Sequence, residues 1–196
     1  MLVRRVLIGL GNPGERYSKT RHNAGFWCID AVAKQLDVTA WKEQFGGLLA
    51  QVRVGETTLF LFKPQQFMNL SGKPVRQLLD YYQIPVENIC VAADEVYVKP
   101  GSARIRQGGA DGGHNGWKSL GQHMVSDTYL RLRIGVGVYA QNPLERQQQP
   151  ALDAYVLEPL PHDEFKRVEK LIDMVVPNLV QWAQHGQLEE ETIHIN

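Results

Sequence analysis

The sequence predicts an α/β fold in which a mixed β-sheet packs against helices within a single domain. Predicted strands and helices alternate along the whole chain, which is typical of this class. The apolar run Val6-Leu7-Ile8 is continuous, as expected of a strand covered on both faces. Residues 48–54 and 57–62 resemble a hairpin around Gly55-Glu56, which requires one antiparallel pair. No linker interrupts the 196 residues, so we expect one domain over residues 1–196.

The first half of the chain supplies three predicted strands and two predicted helices. Phe26, Ile29, Ala33 and Leu36 recur at helical spacing, which predicts a helix over residues 23–36. The remaining elements of this half are a strand at 3–10, a turn at 9–14, hairpin strands at 48–54 and 57–62, and a helix at 68–82 that ends near Pro85.

The second half continues the alternation of strands and helices. Leu130, Leu132, Ile134 and Val136 alternate with other residues and indicate a strand. The predicted elements are a buried strand at 89–93, a short strand at 102–106, a helix at 114–124, a strand at 129–138 and a final helix at 161–185. Pro177 is predicted to kink or break this last helix, because proline removes a helical hydrogen bond.

Composition excludes several classes of protein. With 43% hydrophobic residues and 2 cysteines, the chain is neither disordered nor a disulfide scaffold. No apolar run approaches the roughly 20 residues of a membrane span, and no secretory signal is visible. Cys28 and Cys90 are isolated, which indicates a reducing compartment. We therefore expect a soluble cytoplasmic protein.

Charge is unevenly distributed although its sum is zero. Residues 1–134 carry 17 basic and 11 acidic groups, whereas residues 135–196 carry 4 basic and 10 acidic groups. The glycine-rich segment 101–116 lies among basic residues, including Arg104, Arg106, Arg131 and Arg133. Such a patch predicts an anionic ligand, with nucleic acid as one possibility and a merely solvated surface as the other.

The segment Gly9-Leu10-Gly11-Asn12-Pro13-Gly14 matches the dinucleotide-binding pattern GxGxxG. That pattern requires a helix opening at the third glycine, but the following residues 15–22 are polar and lack an apolar stripe. An NAD- or flavin-dependent oxidoreductase is therefore disfavoured. Because Asn12 follows the first strand, we expect it either to form a simple turn or to face the ligand crevice.

Two histidines and one aspartate are the main candidates for chemistry. His22 and His114 are each flanked by asparagine and glycine at predicted loop-to-helix junctions, and Asp94 follows the buried strand at 89–93. A histidine oriented by an aspartate is the usual general-base arrangement. No GxSxG nucleophile motif and no HExxH metal motif is present. These residues predict a water nucleophile activated by a histidine, with no covalent intermediate and no metal.

Five motifs together resemble bacterial-type peptidyl-tRNA hydrolases. Their order and spacing extend over nearly the whole chain, so the combination is far more specific than any single motif. The motifs lie at residues 9–14 (GLGNPG), 20–25 (TRHNAG), 67–72 (FMNLSG), 112–116 (GGHNG) and 131–137 (RLRIGVG). The resemblance implies a mixed, twisted sheet surrounded by helices. It also implies hydrolysis of the ester that joins a peptide to the 3′-terminal ribose of tRNA.

The resemblance also assigns roles to particular residues. It implies that His22 is the proton acceptor, that Asp94 orients it, and that Asn12 distinguishes blocked from free aminoacyl-tRNA. The residues that it places against the tRNA end or the peptide backbone are Tyr17, Phe67, Asn69 and Asn115. Arg106 and Arg133 fall where the family has basic residues near the 5′ phosphate of tRNA.

The resemblance implies no cofactor, no required protein partner, no membrane association and a monomer. Three departures from the family pattern stand out. Tyr97 replaces the usual acidic residue, and the glycine-rich loop carries Ala110-Asp111 where a more uniform glycine and histidine composition is familiar. The C-terminus carries Glu189-Glu190-Glu191 where many relatives are basic. A weaker or more salt-sensitive hold on tRNA is a possible consequence. A catalytically inactive RNA-binding protein on the same fold is the alternative function.

Overall fold

All strands within the residues that the structure describes belong to one eight-stranded mixed sheet, in the order β2-β3-β4-β1-β5-β7-β6-β8. The computed structural model describes residues 3–139, 145, 147 and 149–195. The strands are β1 (Val3–Gly9), β2 (Lys42–Gln44), β3 (Gly47–Val54), β4 (Thr57–Pro64), β5 (Ile89–Glu95), β6 (Ser102–Gln107), β7 (Leu130–Gly135) and β8 (Glu191–His194). The predicted α/β class with a mixed sheet is confirmed.

Helices cover both faces of this sheet. The helices are α1 (Ala24–Gln35), α2 (Gly72–Tyr82), α3 (Asn115–His123), α4 (Leu152–Val156) and α5 (His162–His185). The predicted helix over 68–82 is divided into a 3-10 turn, Met68–Leu70, and α2. The predicted break at Pro177 is wrong, because α5 continues through this residue. Apolar burial along the whole helix outweighs one missing amide donor: Val168, Leu171, Val175, Leu179 and Trp182 are all buried.

The centre of the sheet is parallel. β1 pairs in parallel with β4 and β5, and β5 pairs in parallel with β7. Because successive side chains point to opposite faces, Leu7 enters the core beneath α1 and α5, whereas Val6 and Ile8 enter the core beneath α2 and α3. This double burial explains why the first strand is continuously apolar.

The edges of the sheet depart from the predictions. The predicted hairpin is present, since β3 and β4 pair antiparallel around residues 55–56. The strands β2 and β8 were not predicted, because both are short and polar and cover only the outer edges. Helix α4 is also short and carries little periodic signal. None of these three elements contributes the apolar period on which sequence patterns depend.

Parallel strands bring their carboxyl ends to one edge, where loops form a crevice. The ends of β1, β4 and β5 place the loop 10–23, the turn Met68–Leu70 and Asp94 at this edge. In the described part of the chain, no helix has both the length and the apolar composition of a membrane span.

Candidate active site

Two imidazoles share one carboxylate oxygen at the end of β5. His22 Nδ1 lies 2.9 Å from Asp94 Oδ1, and His114 Nε2 lies 2.9 Å from the same oxygen. His22 belongs to the 3-10 turn Arg21–Asn23 that precedes α1, and His114 caps the N-terminus of α3. Asp94 is 2% exposed and His22 is 6% exposed. The predicted pairing of His22 with Asp94 is therefore present in the structure.

Hydrogen bonds define the tautomers of these two rings. His114 Nδ1 accepts the backbone amide of Gly116 at 3.0 Å and that of Trp117 at 3.4 Å. Its Nε2 must therefore carry the proton that it donates to Asp94. Neutral His22 donates from Nδ1 to the same carboxylate, so its Nε2 keeps a free lone pair. No described residue bonds to that nitrogen, which can therefore accept a proton from solvent or substrate.

Charge interactions outweigh burial in this cluster. Burial tends to lower the pKa of His22, but the charge and hydrogen bond of Asp94, with a smaller contribution from Asp153, raise the pKa overall. Burial tends to raise the pKa of Asp94, but the two imidazoles hold it well below its usual range. Asp94 thus stays ionised and favours a protonated His22, which is the form generated when His22 takes a proton.

The side chain of Asn12 is fixed in one orientation. Its Oδ1 accepts the Met68 amide at 2.8 Å, so the amide nitrogen Nδ2 is the group that remains free. Asn23 holds the backbone on both sides, accepting from the Asn12 amide at 2.9 Å and donating to its carbonyl at 3.0 Å. Asn12 is buried and lines the cleft next to His22. Of the two predicted positions for Asn12, a simple turn or the ligand crevice, the structure shows the crevice.

Two cavities meet at His22. A small pocket of about 30 Å³ lies over Asp94 and His114, and a cleft of about 320 Å³ opens beside it. The cleft brings together most of the predicted site residues: Asn12, Tyr17, His22, Phe67, Asn69 and Asn115. At its mouth the rings of Tyr17 and Phe67 meet edge to face, with centroids 6.3 Å apart. Phe67 is 51% exposed, as a base- or ribose-binding ring would be.

The two predicted phosphate-binding arginines lie outside the linings of both cavities. Arg133 in β7 donates to Glu95 Oε2 at 3.0 Å and to the carbonyl of Ala110. Arg106 in β6 donates to the Glu191 carbonyl at 2.8 Å and to Thr192 Oγ1 at 3.0 Å. Both guanidinium groups are therefore engaged with neighbouring segments. Their contact with tRNA stays a prediction.

Three residues of the site received no role from the family resemblance. His114 was noted for its flanking asparagine and glycine, but nothing in the sequence shows that it reaches Asp94. Asn23 was taken only as the start of a helix. Asp153 in α4 lines both cavities, and no motif or period marks it. Only the folded chain brings these positions together.

The arrangement favours proton transfer over metal binding. His22, Asp94 and His114 offer three ligand atoms within 4.8 Å of one another. Both histidine nitrogens that face Asp94 carry hydrogens in the bonding pattern described above, and the second nitrogen of His114 accepts two amides. A metal would have to displace these hydrogens. With a free Nε2 and a fixed amide donor beside it, the cleft can activate water next to a carbonyl group.

Comparison with known proteins gives a consistent result. A family model described as "Peptidyl-tRNA hydrolase" matches residues 6–196. The peptidyl-tRNA hydrolase of Alkaliphilus metalliredigens is 41% identical over 168 residues, covering 86% of both chains. That of Methylobacillus flagellatus is 37% identical over 196 residues, covering 98% of this chain and 96% of the relative.

Solved structures agree with the sequence matches. The crystal structure of peptidyl-tRNA hydrolase from Acinetobacter baumannii is similar with a TM-score of 0.83 and 32% identity. The similarity covers 95% of this chain and 91% of the other.

Proposed function

This chain belongs to the peptidyl-tRNA hydrolase family and hydrolyses the ester between the peptide and the 3′-terminal ribose of peptidyl-tRNA, and we propose that His22 activates the attacking water. The observation that carries this proposal is the hydrogen bond between His22 Nδ1 and the buried Asp94. It leaves Nε2 as a base at the junction of the two cavities.

In the first step, His22 Nε2 accepts a proton from water while the water oxygen bonds to the ester carbonyl carbon. The carbonyl oxygen becomes an oxyanion, and Asp94 stabilises the imidazolium that forms. In the second step, the bond between the carbonyl carbon and the ribose O3′ breaks. The imidazolium returns its proton to O3′, which releases a free tRNA hydroxyl and a peptide carboxylic acid that then loses its remaining proton to solvent.

The asparagines supply neutral donors along the same cleft. Nδ2 of Asn12 is directed by the bond between its Oδ1 and the Met68 amide, so it donates to a substrate oxygen without changing protonation state. We propose that this donor reads the acylated amino group of the peptide. Asn69 and Asn115 line the cleft and hold the tRNA end or the peptide backbone, and Tyr17 and Phe67 pack against the terminal nucleoside.

His114 holds Asp94 in place. Its Nδ1 is anchored to the first amides of α3, and its Nε2 donates to the same Asp94 oxygen that orients His22. The charge on Asp94 is thereby fixed from two sides. His114 acts through Asp94 and not on the substrate.

We also infer that the enzyme works as a monomer in the cytoplasm. The family resemblance implies a monomer. Cys28 and Cys90 are free and buried, which suits a reducing compartment. Sedimentation of the purified protein at assay concentration tests the monomer, because a dimer mass would contradict it.

Removal of the imidazole tests the proposed base. We expect His22→Ala to lower turnover of an N-acetylated aminoacyl-tRNA by roughly 10²–10⁴-fold, the range for a lost general base, while tRNA binding persists. The matched control is His162→Ala, which removes an exposed imidazole from the start of α5 and should leave turnover unchanged. Near-parent turnover of His22→Ala would refute the proposal.

The same assay addresses the alternative of an inactive RNA-binding protein. No observation favours that alternative, because the base, its orienting carboxylate and the amide donor are all assembled in one cleft. The active enzyme releases amino acid from the blocked substrate and little from the unblocked one. An inactive binder releases it from neither.

A further inference from the structure

We propose that Asp153 is a second carboxylate serving His22: from α4 it faces the cleft and stabilises the protonated imidazole formed when His22 takes the proton of water. Asp153 is a positioning residue that acts through His22 and touches no reacting atom. This inference rests on the proposed role of His22 as the base.

The position of Asp153 in the fold is the first argument. It lines the small pocket together with His22, Asp94 and His114, and it also lines the open cleft together with His22 and Asn12. Only His22, Asn115, Asp153 and Val156 border both cavities. Asp153 therefore shares both cavities with His22, whereas Asp94 binds the Nδ1 of that ring.

Arg21, the residue before His22, holds the segment that carries Asp153 against the turn that carries His22. The Arg21 guanidinium donates to the carbonyls of Tyr155 at 3.3 Å, Glu158 at 3.3 Å and Pro159 at 3.4 Å. It also stacks on the Tyr155 ring at 4.2 Å, and the Arg21 amide donates to the Glu158 carbonyl at 3.2 Å. One side chain thus fixes the C-terminal end of α4 beside the active-site turn.

The carboxylate of Asp153 is not neutralised by a partner among the described residues, so its charge can act on His22. No described residue forms a hydrogen bond or ion pair with its carboxylate, and the residue is exposed to the cleft. Its charge therefore adds to that of Asp94 at His22, and both raise the pKa of the imidazole against the opposing effect of burial. The other two acidic side chains that line the small pocket beside Asp94 already have partners. Glu95 pairs with Arg133, and Asp111 accepts the Gly113 amide.

The consequence for the reaction has a definite sign. A carboxylate beside His22 favours the protonated ring, so it shifts the onset of activity to higher pH and makes the neutral ring a stronger base. Asp153→Asn keeps the shape and removes the charge. We expect the acidic limb of its kcat/KM profile to move to lower pH. On the plateau, kcat should fall by less than about tenfold, short of the roughly 10²–10⁴-fold cost of losing the base itself.

The experiment compares pH profiles of three variants with that of the parent, on an N-acetylated aminoacyl-tRNA at fixed ionic strength. Asp153→Asn should shift the acidic limb, and Asp153→Glu should restore it. Asp163→Asn removes the same charge from the first turn of α5, outside both cavities, and should leave the limb in place. A purely structural role for Asp153 would lower activity at every pH without moving the limb.

Two results would overturn the inference. In the first, the acidic limb of the kcat/KM profile lies at the same pH in Asp153→Asn as in the parent. In the second, Asp163→Asn shifts this limb as far as Asp153→Asn does. Both leave the proposed function standing if His22→Ala is inactive. If His22→Ala retains turnover instead, the proposed base itself fails. The two failures are therefore distinguishable.

Discussion

A single carboxylate oxygen organises the active site at the scale of residues. Asp94 Oδ1 binds His22 and His114, yet the two rings hold opposite tautomers, because the backbone amides of α3 occupy Nδ1 of His114. The Nδ1–H tautomer of His22 leaves its Nε2 free. The shared oxygen thus distinguishes two chemically identical side chains, His22 as the proposed base and His114 as the proposed support.

Asn12 offers a substitution that separates structure from recognition. Asn12→Asp keeps an oxygen that accepts the Met68 amide but loses the Nδ2 donor. We expect kcat/KM for blocked aminoacyl-tRNA to fall by about 10²–10³-fold, a loss of the size measured for one neutral amide donor in an active site, while the thermal midpoint changes little. If Asn12→Asp had the kinetics of the parent, the proposal that Asn12 Nδ2 donates to the substrate would be refuted.

The motifs made part of the site predictable. His22, Asn12 and Asp94 each follow a predicted strand or precede a predicted helix, and chain order alone places them at the carboxyl edge of a parallel sheet. His114 and Asp153 reach the same point through long-range folding, and neither tautomers nor the Arg21 contacts leave a local signal. The pairing of His22 with Asp94 was therefore predictable, but the approach of His114 and Asp153 to that pair was not.

At the scale of elements, the site depends on how closely α1 approaches the sheet. Gly25 lies in the first turn of α1, three residues after His22, and a Cβ there would overlap the Ala92 carbonyl oxygen and the backbone of Leu10. Ala92 precedes Asp94 in β5 by two residues. The absence of a side chain at Gly25 thus sets the distance between the turn that carries His22 and the strand that carries Asp94.

Gly25→Ala should therefore lower both stability and activity. We expect the free energy of unfolding to fall by about 1–3 kcal/mol, as for an overpacked core, measured by denaturant titration. Gly121→Ala is the control, because a Cβ at this helical position meets nothing within 4 Å. That change should stabilise α3 by about 0.5–1 kcal/mol. If both variants were equally stable, close packing at Gly25 would not matter.

The success of the element predictions follows from burial. The central strands β1 and β5 and the amphipathic helices α1, α2 and α5 carry their apolar pattern in the sequence. The edge strands β2 and β8 are polar and form only because a neighbouring strand offers free backbone groups. The effect of Pro177 on helix continuity was overestimated for the same reason, because buried apolar packing along α5 keeps the helix continuous.

At the scale of the whole molecule, the two halves differ in charge and the acidic half is not a free tail. Strand β8 pairs with β6. The Arg106 guanidinium donates hydrogen bonds to the Glu191 carbonyl and to the Thr192 hydroxyl. Part of the acidic C-terminus thus serves to close the sheet edge. The backbone and a hydroxyl of this segment therefore occupy Arg106, a basic residue that was predicted to meet tRNA.

Arg133→Ala tests the predicted phosphate contact. If Arg133 meets phosphate, KM rises and the salt dependence of tRNA binding weakens by about one unit of slope on a log–log plot. The control is Arg53→Ala, an exposed arginine of β3 far along the sheet from β7. If the salt slope of Arg133→Ala equalled that of the control, Arg133 would not contact phosphate, and its role would be structural, through Glu95 and Ala110.

The most direct test of the proton acceptor is nitrogen NMR of the histidine rings in the free enzyme. With ¹⁵N-labelled histidine, neutral His22 should show the proton on Nδ1 and neutral His114 should show it on Nε2, as their bonds to Asp94 and α3 require. Observation of His22 with its proton on Nε2 would contradict the account, because that nitrogen would then be unable to deprotonate water.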